Sequence, residues 1–356
     1  MQFFERHDKI IDGRLLMLTL VDIAQQRSCA LDKLFKGTAL FYPDCLTDDA
    51  QISHQQLVQL VKNAYSLFKQ KDISFQIGRR LFPGTLGHLG NALMHCRDMA
   101  TMLRICRLHQ QKIFPFLYLS IRYDREYCYL HFNPAVSIEH HSFQVFIIEL
   151  VTSAIVSALK MRLGQWPTLD IQFPFAEPRH IEQYQVNFPC EYRFITTMGH
   201  QPLQLKIAKH LLHAPFPEHS VYLARFYRQQ LAISSSHSSN IQQVGLVQCI
   251  LQHFKKHKQL TLEQLASLLC MSRATLKRKL TLHHTSYQQL WDLHRQQVAV
   301  FELAEQQKCN EDVAQTLQFS DITNFRRSVK RWTGMTPDDI RRKFAEKLNI
   351  EDQHAL

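Results

Sequence analysis

"DVAQTLQFSDITNFRRSVKRWTGMTPDDIR", residues 312–341, crowds four cations, Arg326, Arg327, Lys330 and Arg331, around apolar Phe325, Val329 and Trp332. The apolar positions recur at spacings of four and three, which predicts an amphipathic helix with one buried stripe. DVAQTL ahead of it reads as a shorter helix opening at Asn310, with Ala314 small enough to let a second helix cross closely. Ser320 stands where a side-chain oxygen would satisfy the exposed N–H groups of the second helix. The unit reads as a helix-turn-helix that buries Phe325, Val329 and Trp332 and turns its arginines outward.

Working outward, the same arrangement occurs once more. "EQLASLLCMSRATLKRKL", Glu263–Leu280, also begins with an acid, places Ala266 mid-helix, reaches an apolar-Ser pair (Met271-Ser272) and opens a basic helix. Up to the serine the copies run 48 residues apart; after it the offset is 49, pairing Leu276 with Phe325, Arg278 with Arg327 and Leu280 with Val329. Thr261 is a cap for the first helix of this copy, with Glu263 and Gln264 in its first turn. Between the copies, "TSYQQLWDLHRQQVAVFELAEQ" (285–306) reads as a long amphipathic helix. Such a helix can hold two DNA readers about one turn, roughly 34 Å, apart, each with a basic helix for a major groove. The competing account of a single copy is a helical hairpin with solvated charges.

Bulk properties agree with a polyanionic partner. The chain has 356 residues, enough for two domains; 45% are hydrophobic and the net charge is +11. Nearly half of that excess falls in the shorter C-terminal part. The nine cysteines are an odd number with no CxxC pair, which suits reduced thiols in a cytoplasmic protein. Twenty histidines form no HExxH motif, and neither metal nor cofactor is expected. "FQVFIIELVTSAIVSALKM" (143–161) approaches the length of a membrane span, but Glu149, Thr152, Ser153 and Ser157 interrupt it and it reads as a buried helix. No secretory signal opens the chain.

"ISSSHSSN" (233–240) reads as a flexible serine-rich linker and divides the chain into residues 1–232 and 241–356. After it, "NIQQVGLVQCILQHFKK" reads as a helix capped by Asn240. Before it the signals mix. "HQQLVQLVKNAYSLF" follows the cap Ser53, "LGNALMHCRDMATMLRICRLH" reads as one or two helices, and "FLYLSIRYDREYCYLHF" alternates as a hairpin turning near Asp124-Arg125. "TLDIQFPF" and "EYRFITTM" are further strands, giving an α+β N-terminal domain ahead of an all-α double helix-turn-helix domain. Gly84, Gly87 and Gly90 form neither GxGxxG nor a Walker loop and read as a tight turn.

The C-terminal stretch resembles the double helix-turn-helix domain of AraC/XylS-type bacterial transcription regulators. The resemblance rests on an Ile/Val-Ala pair, a turn ending in Phe-Ser, then Phe, Arg, Lys-Arg-Trp-Thr-Gly, Pro and Arg; "MSRATLKRKL" fits the first unit. It covers about 100 residues and implies DNA-facing Ala274, Lys277 and Arg278 in the first unit. In the second it implies Ile322, Thr323, Asn324, Arg326 and Arg327. Arg273 is added on charge. Ile322 would suit a thymine methyl. The family places glycine where this chain has Cys270 and Gln318; if the backbone there is left-handed, each costs on the order of 1 kcal/mol. The N-terminal part resembles the effector domain of the branch that includes ornithine-responsive regulators, through the 79–109 segment and "IQFPFAEP" followed by Tyr184 and Phe188. The resemblance implies a regulator, an activator, acting as a homodimer on promoter DNA with RNA polymerase and controlled by an amino acid, sugar or fatty acid. No residue stands out as effector-binding.

Two other classes stay open: an enzyme or metabolite-binding protein with accessory DNA binding, and a DNA-independent interaction module with degenerate readers. No GxSxG, HExxH or Cys/His set supports an enzyme.

Overall fold

The computed structural model describes residues 3–4, 7–43, 51–68, 72–114, 117–123, 126–134, 141–195, 202–236, 244–257, 259–283, 285–304 and 306–342. The expected hairpin turn Asp124-Arg125, the expected cap Asn240 and serine-rich residues 237–240 lie outside these.

Strands β1 (Phe3–Phe4) and β2 (Lys9–Asp12) precede helices α1 (Arg14–Gln26) and α2 (Leu31–Phe35). β3 (Gln51–Ser53), antiparallel to β2, runs directly into α3 (His54–Leu67). Ser53 caps α3: its hydroxyl accepts from the Gln56 N–H at 3.2 Å while the Gln56 side chain accepts from the Ser53 N–H at 3.0 Å. Two exposed donors are thereby satisfied reciprocally. Four helices follow: α4 (Ile73–Leu81), α5 (Gly87–His95), α6 (Met99–Leu108) and α7 (Gln110–Ile113). The glycine-spaced loop enters α5 through tight backbone packing. Gly87 has φ +53°, and a Cβ on Gly90 would fall 2.1 Å from the Pro83 carbonyl oxygen.

The aromatic-rich segment forms the expected hairpin. β4 (Leu117–Tyr123) and β5 (Tyr127–Pro134) pair antiparallel, with Leu117 opposite Pro134 and Tyr123 opposite Cys128. They occupy one edge of a five-stranded sheet ordered β4-β5-β8-β6-β7, completed by β6 (Asp170–Phe173), β7 (Glu191–Phe194) and β8 (Leu203–Ala208). Within this sheet, among the described residues, β6 and β7 are the one parallel pair.

The membrane-length stretch is α8 (His141–Leu163). Its most apolar window is 67% buried, so it is the central helix of this domain's core. α4 crosses it closely, since a Cβ on Gly78 would lie 2.3 Å from the Leu150 carbonyl oxygen. Helix α9 (Ile181–Asn187) brings Tyr184 and, just beyond it, Phe188 into the same core. α10 (Val221–Ser236) carries the helix through the first serines of the expected linker.

The C-terminal part opens with β9 (Val244–Gly245), which pairs in parallel with β1 at Phe3 and Phe4 and is its one described strand. Helix α11 (Leu246–Lys256) therefore starts later than a cap at Asn240 implies. The rest is helical: α12 (Leu262–Leu268), α13 (Arg273–Leu282), α14 (Tyr287–Ala304), α15 (Asn310–Thr316) and α16 (Ile322–Thr333). Beyond α16, Thr336 caps a last helical turn with Pro337 at its first position, where a missing N–H costs nothing. Apolar side chains gather in three clusters, one in the N-terminal domain and one under each helix pair.

Candidate nucleic-acid interface

α12–α13 and α15–α16 solve the same problem in the same way. Each first helix ends in two reversed hydrogen bonds. In the first unit Met271 N–H donates to Ala266 O (3.0 Å) and Cys270 N–H to Ser267 O (3.0 Å). In the second, Phe319 N–H donates to Ala314 O (2.9 Å) and Gln318 N–H to Gln315 O (3.0 Å). This closure requires a left-handed residue before the apolar one, and Cys270 and Gln318 both have φ +55°. Met271 and Phe319 then fold back onto their own cores.

The caps differ from the sequence expectation in one respect. Ser272 caps α13, accepting from the Thr275 N–H at 3.1 Å. α16 is capped by Asp321, which accepts from the Asn324 N–H at 2.7 Å, and not by Ser320. As a cap Asp321 matches Ser272 at an offset of 49, which makes Ser320 the extra residue that lengthens the repeat, and a carboxylate suits the positive end of a helix better than a hydroxyl. α15 opens at Asn310, as the sequence predicts, with Asn310 buried and Cys309 as its cap, the Cys309 sulfur accepting from the Asp312 N–H at 3.4 Å.

Above buried Leu276 and Leu280, α13 presents exposed Arg273, Ala274, Lys277 and Arg278. Above buried Phe325, Val329 and Trp332, α16 presents exposed Thr323, Asn324, Arg326 and Arg327, with Ile322 half-buried. The side-chain cations of Lys277, Arg278, Arg326 and Arg327 have no ion-pair or hydrogen-bond partner among the described residues. Two expected readers are engaged at home. Arg273 pairs with Glu263 at 2.8 Å, both 58% exposed, and the Asn324 side chain donates to Asp321. An exposed pair of that kind contributes little and can be exchanged for a phosphate.

α14 fixes the second unit. The Arg295 guanidinium lies 3.9 Å from the centre of the Phe319 ring and donates to Leu317 O at 3.1 Å, closing the end of α15. Gln296 donates to Trp332 O at 3.1 Å, and Arg331 reaches Asp292 at 3.7 Å. These supports were not read from the sequence. The one signal is that Arg295 stands four residues from Trp291 and Ala299, on the inner side of α14.

The β4–β5 hairpin joins the two halves. Alternation sends Leu119, Leu130 and Phe132 to the inner face and Tyr118, Arg122, Tyr129, His131 and Asn133 to the outer. The outer face sits on α14. Arg122 donates to Gln297 O at 3.2 Å and its guanidinium lies 4.8 Å from the Phe301 ring centre. Tyr129 and His131 meet Phe301 edge-on at 5.6 and 6.4 Å, and the Gln297 amide donates to Asn133. Tyr118 is buried within the apolar cluster of the first helix-turn-helix.

This seam is rich in cations. Burial, reinforced by Arg122, holds His131 down to about 3; Lys255 adds to this and a 2.8 Å hydrogen bond with Gln204 opposes it. Burial followed by Arg122, Lys255 and Arg295 holds His294 to about 4. Lys255 itself is brought to about 8 by burial, then by Arg122 and Arg107.

Beneath the inner face lies a cavity of about 120 Å³. Its wall is apolar, including Leu119, Leu130 and Phe132 of the hairpin and Ala154 and Ala158 of α8; half-buried Lys112 is the one charged residue in the lining.

Elsewhere, buried Glu149 accepts from the Ser74 hydroxyl (2.6 Å) and the Tyr184 hydroxyl (2.7 Å) and shares a 2.7 Å hydrogen bond with His180. Here the carboxylate separates the serine from the histidine, whereas a nucleophile must touch its base. The cluster ties α4, α8 and α9 together and satisfies the charge inside the apolar stretch. No group of three potential metal ligands gathers among the described residues, and each described cysteine is a free thiol.

Comparison with known proteins adds the following. The model of the arabinose-binding domain of AraC transcription regulators, N-terminal, matches residues 29–197, and a helix-turn-helix domain model matches residues 265–343. An ornithine utilization regulator of Pseudomonas aeruginosa (strain PAO1) is 24% identical over 332 residues, 90% of this chain and 94% of that protein. The HTH-type transcriptional regulator AdiY of Escherichia coli (strain K12) is 37% identical over 81 residues, 23% of this chain and 32% of that one. The crystal structure of the transcriptional regulator CdpR from Pseudomonas aeruginosa aligns with a TM-score of 0.46 at 15% identity, over 92% of this chain and 98% of that one.

Proposed function

This chain belongs to the AraC/XylS family of transcription regulators, and from that premise we propose that α13 and α16 read two successive major-groove segments of one promoter site. The observation that carries this reading is the pair of matched basic faces. Lys277 and Arg278 on α13, and Arg326 and Arg327 on α16, are exposed and uncommitted above apolar stripes that anchor each helix. Arg278 and Arg327 suit bidentate contacts to guanine, Lys277 a phosphate, and Asn324 an adenine edge once it leaves Asp321. Ala274, Thr323 and Ile322 would permit close approach and meet thymine methyls. Arg273 would exchange Glu263 for a phosphate.

Function as a sequence-specific regulator controlled through the N-terminal domain follows from the family. The hairpin supplies a physical route for that control, since one side of it lines the cavity and the other bears on α14. A change in the cavity can therefore reach the helix joining both readers. Ornithine, named in one relative's description, would present two ammonium groups to a lining whose one charge is Lys112. We infer a different effector class for this chain.

We also propose that it acts as a homodimeric activator that contacts RNA polymerase. Support for the dimer is an uncovered stripe on α10, with Tyr222, Phe226 and Ile233 86%, 49% and 56% exposed at spacings of four and seven. Light scattering should give twice the chain mass for wild type and a monomer for Phe226→Glu. The reading itself is tested by selecting bound sequences from a random DNA pool with the purified chain. Two enriched blocks about one helical turn apart are expected; failure to enrich any site, with folded protein and across candidate effectors, contradicts it.

A further inference from the structure

We propose that the cavity beneath the β4–β5 hairpin binds a small apolar monocarboxylate, with a hydrocarbon group of about six carbons inside and its carboxylate on Lys112; the regulatory role of this ligand rests on the reading above.

Size comes first. An apolar cavity of about 150 Å³ takes a benzene-sized guest. The present one is about 120 Å³, so a short alkyl chain or small ring fills it with slight expansion. The space exists because α8 offers small residues, Ala154 and Ala158, one helical turn apart where the facing elements contribute Leu119, Leu130 and Phe132.

Lining chemistry then selects the class. A sugar would bury several hydroxyls, each needing a partner. Beyond Lys112, the wall's hydroxyl is Thr85, which already donates to the Leu81 carbonyl, and its thiol, Cys106, is kept protonated by burial, which pushes it up to about 12. A zwitterionic amino acid would bring an ammonium group to a wall without an acidic side chain. A neutral hydrocarbon would leave the lysine unused. Lys112 has no ion-pair partner among the described residues, and it is only half-buried, so an anion placed there stays partly hydrated. The polar end of the cavity is therefore Lys112, and the rest is greasy.

Readout follows from position. Leu119, Leu130 and Phe132 line the cavity, while Tyr118, Tyr129 and His131, adjacent along the same strands, bear on the C-terminal helices. A guest that fills the cavity supports the strands that hold α14.

The test uses the full chain, titrated calorimetrically with hexanoate, hexan-1-ol and ornithine, with a DNA-affinity measurement in parallel on its selected site. Hexanoate should bind with one site per chain and more tightly than hexan-1-ol, and ornithine should not bind. Lys112→Gln should weaken hexanoate by about tenfold and leave hexan-1-ol within about threefold, since only the charge-assisted contact is lost. Ala158→Leu, which fills the space, should abolish binding of both, with thermal unfolding confirming that it is folded. Absence of hexanoate binding to the wild type, or equal affinity of wild type and Lys112→Gln, overturns the assignment. Hexanoate binding that depends on Lys112 but leaves DNA affinity unchanged supports the ligand site and overturns its role in control.

Discussion

The two helix-turn-helix units share a backbone and differ in what holds them. Both close with a left-handed non-glycine residue, both cap the second helix with an oxygen, and both bury one apolar stripe. The second unit is braced from its own domain, by Arg295, Gln296 and Asp292 of α14. The first unit shares its core with the N-terminal domain through Tyr118, and Phe3 of the chain's opening strand packs on it. The difference teaches that equivalent readers need not be equally exposed to control. The first is coupled to the effector domain by direct burial, the second through α14.

The largest contrast is expected from the cores. Phe325→Ala should cost about 3–5 kcal/mol in the second unit and Leu276→Ala about 2–5 in the first. Hydrogen exchange should show each loss confined to its own helix pair. Spread of the Leu276→Ala effect into the β4–β5 hairpin would sharpen the comparison, because only the first unit is buried against it. Arg278→Ala and Arg327→Ala should each weaken specific binding by about 1–3 kcal/mol while sparing non-specific DNA, as read by titration against cognate and scrambled duplexes. Next is Arg295→Ala, which removes a ring contact and a hydrogen bond and should destabilise the second unit by about 1–2 kcal/mol, leaving α13 protected.

Acid should loosen the seam by a similar amount. His131 and His294 are held neutral, at about 3 and about 4 against an ordinary 6.5, by burial with Arg122 and Lys255 around both and Arg295 beside His294; the Gln204 hydrogen bond on His131 only partly opposes this. Undocking lets them bind protons. The docked arrangement is thus fully favoured above about pH 6.5 and loses about 1 kcal/mol per histidine at pH 5.5. Exchange rates along Gln297–Phe301 compared at pH 7.5 and 5.5, against α3 as an internal reference, check this. The smallest effect belongs to the turns. Gln318→Gly and Cys270→Gly should each raise stability by up to about 1 kcal/mol, since glycine accepts φ +55° without a Cβ clash. A loss in either melting curve would place the strain elsewhere.

Much of this molecule was legible in its sequence where the signal is local or repeated. The two units show in a repeat that survives an offset change, the hairpin in strict alternation, and the caps Ser53, Thr261 and Ser272 in their spacing to the following helix. Asp321 was missed because Ser320 beside it is an equally good cap on type alone, and only the backbone decides between them. The seam was not legible, because Arg122 and Gln297 lie 175 residues apart and such a contact leaves no periodicity. The cavity was not either. Its walls are ordinary core residues from many elements, and a void between them changes no local pattern.

The central claim is that α13 and α16 are two independent base readers on one site. Hydroxyl-radical and missing-base footprinting of the selected duplex, with wild type, Arg278→Ala and Arg327→Ala, tests it most directly. The account predicts two protected segments about one turn apart, with each variant losing base contacts in one segment only. Equal loss across both segments from either variant, or a single protected segment for the wild type, would contradict it.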